Sequence, residues 1–238
     1  MISTMDQAGQ STALVFNLKK GSPFSFKCQI CSACCHNKAI RVAPYEALRL
    51  ARNLKITTTE VYGVYTEEGG IILRNKPDGS CIFLNSRGCG VHPDRPLVCR
   101  LFPLGQIIDC QGAAKYASMP LHPDCLGLFG TDGTVESYLE SQGTLPYFQY
   151  DQVYSAVYKK IIGKLSGLKS SAEAPGHPSD LVEADSGAAA PGSLLSPWLD
   201  IDASVASYCR RKRREKPERL DEIITLHIQA LEEWMAGL

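Results

Sequence analysis

No excess of either charge marks this chain: 25 lysines and arginines stand against 25 aspartates and glutamates. That balance removes the usual electrostatic ground for expecting nucleic acid or an anionic membrane as a partner. Long apolar runs are missing as well. Nowhere do about 18 apolar residues follow one another, as a membrane helix requires, so no membrane partner is expected. Met1-Ile2-Ser3-Thr4-Met5-Asp6-Gln7 has no basic start with an apolar run behind it and does not read as a secretory signal. The expected compartment is a reducing cytoplasm. A Gly-rich phosphate loop, a Rossmann fingerprint and G-x-S-x-G are all absent, so no recognisable nucleotide or S-adenosylmethionine site is read from the sequence.

The chain is rich in cysteine instead, with 10 in 238 residues. That share is below what marks a small disulfide scaffold, and in a reducing compartment clustered thiols are more often metal ligands or redox groups. Four fall in one run, Cys28-Gln29-Ile30-Cys31-Ser32-Ala33-Cys34-Cys35, and Cys81, Cys89, Cys99, Cys110 and Cys125 follow. Two-residue gaps let tight turns bring neighbouring sulfurs onto one ion or cluster, and soft thiolates at this spacing suit zinc or iron–sulfur chemistry. Cys28, Cys31 and Cys34 have the first three spacings of a ferredoxin-type 4Fe–4S run, but the C-x₃-C-P continuation is missing, so a fourth ligand must come from afar. Neighbouring side chains diverge, so Cys34 and Cys35 are expected to serve different sites, or a bridging position, or Cys35 no metal at all. The expected metal ligands are Cys28, Cys31, Cys34, Cys35, Cys81, Cys89, Cys99 and Cys125. They would fill two four-thiolate zinc sites, or one cluster with four thiols left structural or catalytic.

Cys110 and Cys209 read as small buried apolar groups. His36, His92 and His122 each lie near a cysteine, yet hydrogen-bonded or surface roles are favoured over ligation; His227 reads as core. Arg95 and Arg100 flank Cys99 and are expected to hold the loop through bonds to backbone or carboxylate. The run Arg210-Arg211-Lys212-Arg213-Arg214 reads as a solvated helix face.

Around the cysteines, strand-like pieces are expected at 13–18, with Phe24 and Phe26 alternating just before the first thiol. Pro44 opens a helix carrying Leu48, Ala51 and Leu54. Thr57 with Glu60 forms a capping box for a second helix carrying Val61, Val64 and Tyr65. Ile71–Leu73 and Cys81–Leu84 are expected to pair as a hairpin across Pro77-Asp78-Gly79, whose residue types suit a turn. Cys89 is placed in a Gly88/Gly90 turn, and 92–103 holds one helical turn ending in Cys99. Strands follow near 104–110 and 114–118, then helices from Thr134 to Gly143 and from Pro146 to about Leu165. Serine, alanine, glycine and proline dominate 166–197, which reads as a flexible linker. Beyond it come a helical 198–214 and an amphipathic helix from Pro217, with Leu220, Ile223, Ile224, His227, Leu231, Trp234 and Met235 on one face.

The sum is an α+β fold: a small, loop-rich cysteine-cluster metal domain over 12–165 with short hairpins and peripheral helices, then a linker over 166–197 and a C-terminal helical segment over 198–238. That segment is expected to dock, with a protein partner as the candidate. The order CxxCxxCC, then Arg49-Leu50, then Gly79-x-Cys81-x-Phe83-Leu84, then Cys89-x-x-His92-Pro93-x-Arg95-Pro96-x-x-Cys99-Arg100-x-Phe102-Pro103, then Cys125-x-Gly127 resembles the YkgJ-type CxxCxxCC cysteine-cluster family, described as zinc- or iron-chelating. The resemblance covers about 24–130. Ser32-Ala33 stands where members often carry glycine, and Leu126 where proline usually follows the late cysteine. Flagellin lysine N-methylases look related through the same pattern. The resemblance therefore implies a metal-binding protein with zinc or an iron–sulfur cluster. Behind that reading stand an iron–sulfur enzyme modifying a protein side chain, lysine N-methylase-like, and a redox-sensing interaction module.

Overall fold

A computed structural model of the chain describes residues 3–5, 11–67, 70–109, 111–169 and 199–237. The fold is α+β, with short strands joined only as antiparallel pairs among the described residues. In chain order the first half holds β1 (Ser3–Met5), β2 (Ser11–Ala13), β3 (Pro23–Lys27), α1 (Pro44–Leu54), α2 (Thr58–Tyr65), β4 (Thr66–Glu67), β5 (Ile72–Leu73), β6 (Leu84–Asn85) and β7 (Gly88–Cys89). The rest holds α3 (Leu97–Leu101), β8 (Leu104–Ile108), β9 (Ala114–Ser118), β10 (Leu128–Thr134), α4 (Val135–Ser141), α5 (Leu145–Lys169), α6 (Ile201–Lys212) and α7 (Leu220–Ala236). The chain divides into two compact units: Met1–Ile40 with Asn75–Pro146, and Arg41–Arg74 with Tyr147–Leu238. The stretch 12–165 is thus shared between the units, and the helices after residue 198 belong to the second. Residues 170–198, which hold most of the expected linker, and Cys110 lie outside the described residues; 166–169 continue α5.

The first unit is built on aromatic packing between β3 and the elements at the far end of its chain. Phe24 is buried, with its ring 5.0 Å from Tyr138 and 6.1 Å from Phe129. Phe26 lies one pleat further, 5.4 Å from Phe129 and 6.1 Å from Phe102. All but the tilted Phe26–Phe129 pair are edge-to-face, and aromatic pairs of this kind stabilise beyond simple burial, by about 0.5–1.5 kcal/mol each. β3 pairs with β10, Leu128 opposite Lys27 and Phe129 opposite Phe26, a strand not expected from the sequence, where Gly130 and Gly133 interrupt the apolar pattern. The strand expected over 13–18 does not form: β2 ends at Ala13, and Leu18 makes a lone bridge to Tyr116. The hairpin expected between 71–73 and 81–84 does not form either. β5 pairs with β4, β6 pairs with β7, and across Pro77-Asp78-Gly79 there is only the single bridge Asn75–Cys81. The turn itself is as expected, with Gly79 at φ 79° and the Lys76 N–H donating to the Ser80 carbonyl at 2.7 Å. The β8–β9 hairpin appears as read, and Thr134 caps α4 by accepting from the Ser137 N–H.

In the second unit α1 and α2 start as the sequence demands. Pro44 opens α1, and Thr57 and Glu60 exchange the two bonds of the capping box at 3.2 and 2.7 Å. Val61 is buried but Val64 is exposed. A buried polar network then joins the start of α2 to the start of α6. Thr58 donates from its N–H to Asp202 at 2.9 Å and from its hydroxyl to Asp200 at 2.7 Å, and accepts from the Asp202 N–H at 2.9 Å. Arg52 and Lys216 close on the Asp202 carboxylate at 3.2 and 2.5 Å. The amphipathic face of α7 is covered within this unit: Ile223, Ile224, Leu231 and Met235 are buried, the last two with Val157 and Ile161 of α5. His227 is wholly buried and its Nδ1 lies 2.9 Å from the Tyr154 hydroxyl.

Candidate metal centre

All eight expected ligands lie in the first unit. Cys28 is exposed and the other seven are partly buried. The run from Cys28 to Cys35 is loop followed by one 3₁₀ turn, Ala33–Cys35. It is tightly wound: Ile30, Ser32 and Asn37 sit in the left-handed region at φ 55°, 62° and 53°. For a β-branched residue such as Ile30 this conformation is a true outlier.

Five of the eight sulfurs meet a backbone donor two residues further on. The Ile30 N–H reaches the Cys28 sulfur at 3.4 Å. Likewise the N–H of Ala33 reaches Cys31, that of Phe83 reaches Cys81, that of Val91 reaches Cys89, and that of Gly127 reaches Cys125. In every case the donor is two residues past the cysteine. Such donors favour the thiolate over the thiol. At Cys31 they prevail: bonds from Ala33 and Leu126 hold its pKa below the usual thiol value. At Cys81, Cys89 and Cys125 burial leads and the thiols are pushed up.

Cys34 and Cys35 form the tightest pair, with sulfurs 3.9 Å apart. The hydrogen bond from Cys35 lowers Cys34 to about 6, helped by the charges of Lys38 and Arg95; the same bond, with burial, pushes Cys35 up. The charge of Cys34 also reaches Cys31, Cys81, Cys89 and Cys125, and those of Cys89 and Cys99 reach Cys35. The loop run and the later cysteines therefore share one neighbourhood.

Two arginines divide the work around Cys99. Arg100 is buried and donates to the carbonyls of Arg95 at 3.0 Å, Gln142 at 2.7 Å and Pro93. Arg95 donates to the His92 carbonyl at 2.8 Å and to the Gln142 side chain at 2.6 Å, and its charge bears on Cys34, Cys89 and Cys99. Cys99 itself lies in the middle of α3, which runs on to Leu101, so the helical turn does not end there as expected. Cys89 is the last residue of β7 and not a turn residue. The three nearby histidines are engaged by the polypeptide: Nδ1 of His36 with the Ser32 carbonyl at 3.2 Å, that of His92 with Arg95 at 3.3 Å, and that of His122 with the Asp124 N–H at 3.2 Å. Cys209 is a buried thiol of the second unit whose sulfur lies 3.7 Å from the Glu215 carbonyl.

Residues 27–120 match a family model described as "CxxCxxCC: Putative zinc- or iron-chelating domain". That stretch is similar to the CxxCxxCC domain. Neither a curated protein nor a solved structure matches the chain. The CxxCxxCC match takes in seven of the eight cysteines; Cys125 lies past its end and is brought in by the β3–β10 pairing. Among the described residues, no three His, Cys, Asp or Glu side chains stand so that they could hold a metal ion as they are placed. The donor chemistry nevertheless fits a soft metal: thiols only, with aligned N–H groups and a nearby guanidinium to offset negative charge. No helix among the described residues is long and apolar enough to cross a membrane.

Proposed function

We propose that this chain is a metal-chelating protein whose first unit holds zinc or an iron–sulfur cluster through Cys28, Cys31, Cys34, Cys35, Cys81, Cys89, Cys99 and Cys125. The observation that carries the reading is the repeated sulfur turn, in which five of these thiols take an N–H from the residue two positions on. Hydrogen bonds to the sulfurs are the outer-shell contacts that hold and tune thiolate metal sites. A second feature agrees. Three non-glycine residues in the left-handed region between Ile30 and Asn37 represent roughly 1–3 kcal/mol each, which persists where the surroundings over-determine the loop. A bound metal does so, and its binding free energy becomes folding free energy. The family description, zinc- or iron-chelating, points the same way.

Arg95 would neutralise part of the negative charge that four or more thiolates place on the centre, while Arg100 holds the carbonyls that shape its loop. The metal, when bound, supplies the cross-link between loop segments; drawing the sulfurs onto it requires the loops to close from the positions described above. Elemental analysis of protein purified without oxygen tests the reading. Tightly bound zinc or iron is expected, and iron with inorganic sulfide and visible absorbance identifies a cluster. Protein free of both metals, with eight reactive thiols, would overturn it.

A further inference from the structure

The backbone ties the eight thiols into two groups. The β3–β10 register sets Leu128 opposite Lys27, so Cys28 leaves the ribbon where the Cys125-Leu126-Gly127 turn enters it. The free thiols of Cys31 and Cys125 lie within hydrogen-bonding reach of each other, and the Leu126 N–H also reaches Cys31. Cys34 stands three residues beyond Cys31, at the CxxC spacing; its charge reaches Cys31 and Cys125 of this group and also Cys81 and Cys89.

The second group begins one residue later. The Cys35 carbonyl accepts from the Cys81 N–H at 2.8 Å, His36 bridges Ser80, and the Asn37 N–H donates to the Gly79 carbonyl at 2.8 Å. From Cys81 the chain runs directly into the β6–β7 hairpin, where the Leu84 N–H returns to the Cys81 carbonyl at 2.9 Å and Leu84 pairs with Cys89. Arg95 stands near both Cys89 and Cys99, and its charge reaches Cys34 across the border as well. The two groups meet at the 3₁₀ turn, where successive side chains project about 120° apart. There the Cys34 and Cys35 sulfurs lie 3.9 Å apart.

We propose that the chain carries two adjacent four-thiolate metal sites whose border runs between Cys34 and Cys35: Cys28, Cys31, Cys34 and Cys125 form one, and Cys35, Cys81, Cys89 and Cys99 the other. The assignment rests on the metal-binding reading above. It gives each site the four ligands of a closed tetrahedral centre. It also gives each metal its own task, the first closing the chain between 28 and 125 and the second between 35 and 99.

The test uses the full-length protein, reduced and loaded with zinc(II), and counts zinc per chain by native mass spectrometry. The wild-type chain is expected to hold two ions, Cys125→Ser one and Cys99→Ser one. The decisive variants differ by one position. Cys125→Ser with Cys34→Ser keeps one zinc, because both changes strike the same site; Cys125→Ser with Cys35→Ser keeps none. Cys28→Ser and Cys89→Ser repeat the two single arms should either first choice fail to fold by circular dichroism. A wild-type chain with one zinc, or the reverse order in the paired variants, overturns the partition and leaves metal binding standing. A wild-type chain that takes up neither zinc nor iron removes the metal-binding reading itself.

Discussion

Arg100 gives its guanidinium to main-chain carbonyls on both sides of Cys99, so its loss strands three acceptors at once. Arg100→Met is expected to lower the unfolding free energy by about 2–3 kcal/mol, because charge-assisted bonds in buried surroundings are lost without replacement. A denaturant melt checks it; an unchanged midpoint would deny the clamp. Asp202 makes the pH-dependent case. Burial alone would raise its carboxyl, but Lys216, Arg52 and the Thr58 N–H together hold it below the usual aspartate value. Its stabilisation is therefore present above the unfolded value of about 3.9 and lost as pH falls through the lower folded value. Asp202→Asn is expected to cost about 1–3 kcal/mol at neutral pH. The gap to wild type should narrow as the solution is acidified below pH of about 3.9, and denaturation midpoints across pH read this directly. Sequence spacing disclosed the cysteines and the structural use of Arg100. It could not disclose Thr58 and Asp202, because their partners lie 144 positions apart and nothing local marks either residue.

Elements whose signals are local were legible, and elements defined by distant pairing were not. The Thr57/Glu60 box is a local contract between N-cap and N3, and α2 begins there; Thr57→Ala should remove about 1 kcal/mol, visible as a lower melting midpoint. The α7 stripe likewise declared its buried face. By contrast, Pro77-Asp78-Gly79 made a turn but not a hairpin, because β4 and β7 offer closer partners to β5 and β6. β10 was hidden by its glycines. One glycine just before it is a packing requirement: a Cβ on Gly127 would stand 2.2 Å from the Phe26 ring. Gly127→Ala is expected to push Phe26 out of its stack with Phe102 and Phe129. That shift should loosen the β3–β10 ribbon that brings Cys28 and Cys125 to one end. Faster amide exchange along Phe26–Lys27 and Leu128–Phe129 would register it, and unchanged exchange would contradict it.

At the scale of the whole molecule the two units are stabilised by different means. The second carries apolar helix faces and a buried carboxylate network. The first carries short strand pairs, aromatic contacts and a long thiol-bearing loop with three left-handed non-glycine residues. On the proposed reading, a metal held by the clustered thiols supplies the cross-link that this loop-rich unit otherwise has little regular structure to replace. The most direct measurement is a thermal melt of metal-replete protein against the same protein stripped by a chelator under reducing conditions, with metal content assayed in both. The account expects the stripped protein to lose amide-exchange protection in residues 28–35 and 81–99 and to melt at lower temperature, with recovery on adding metal back. A stripped protein that keeps the same melting temperature and the same protection would contradict it.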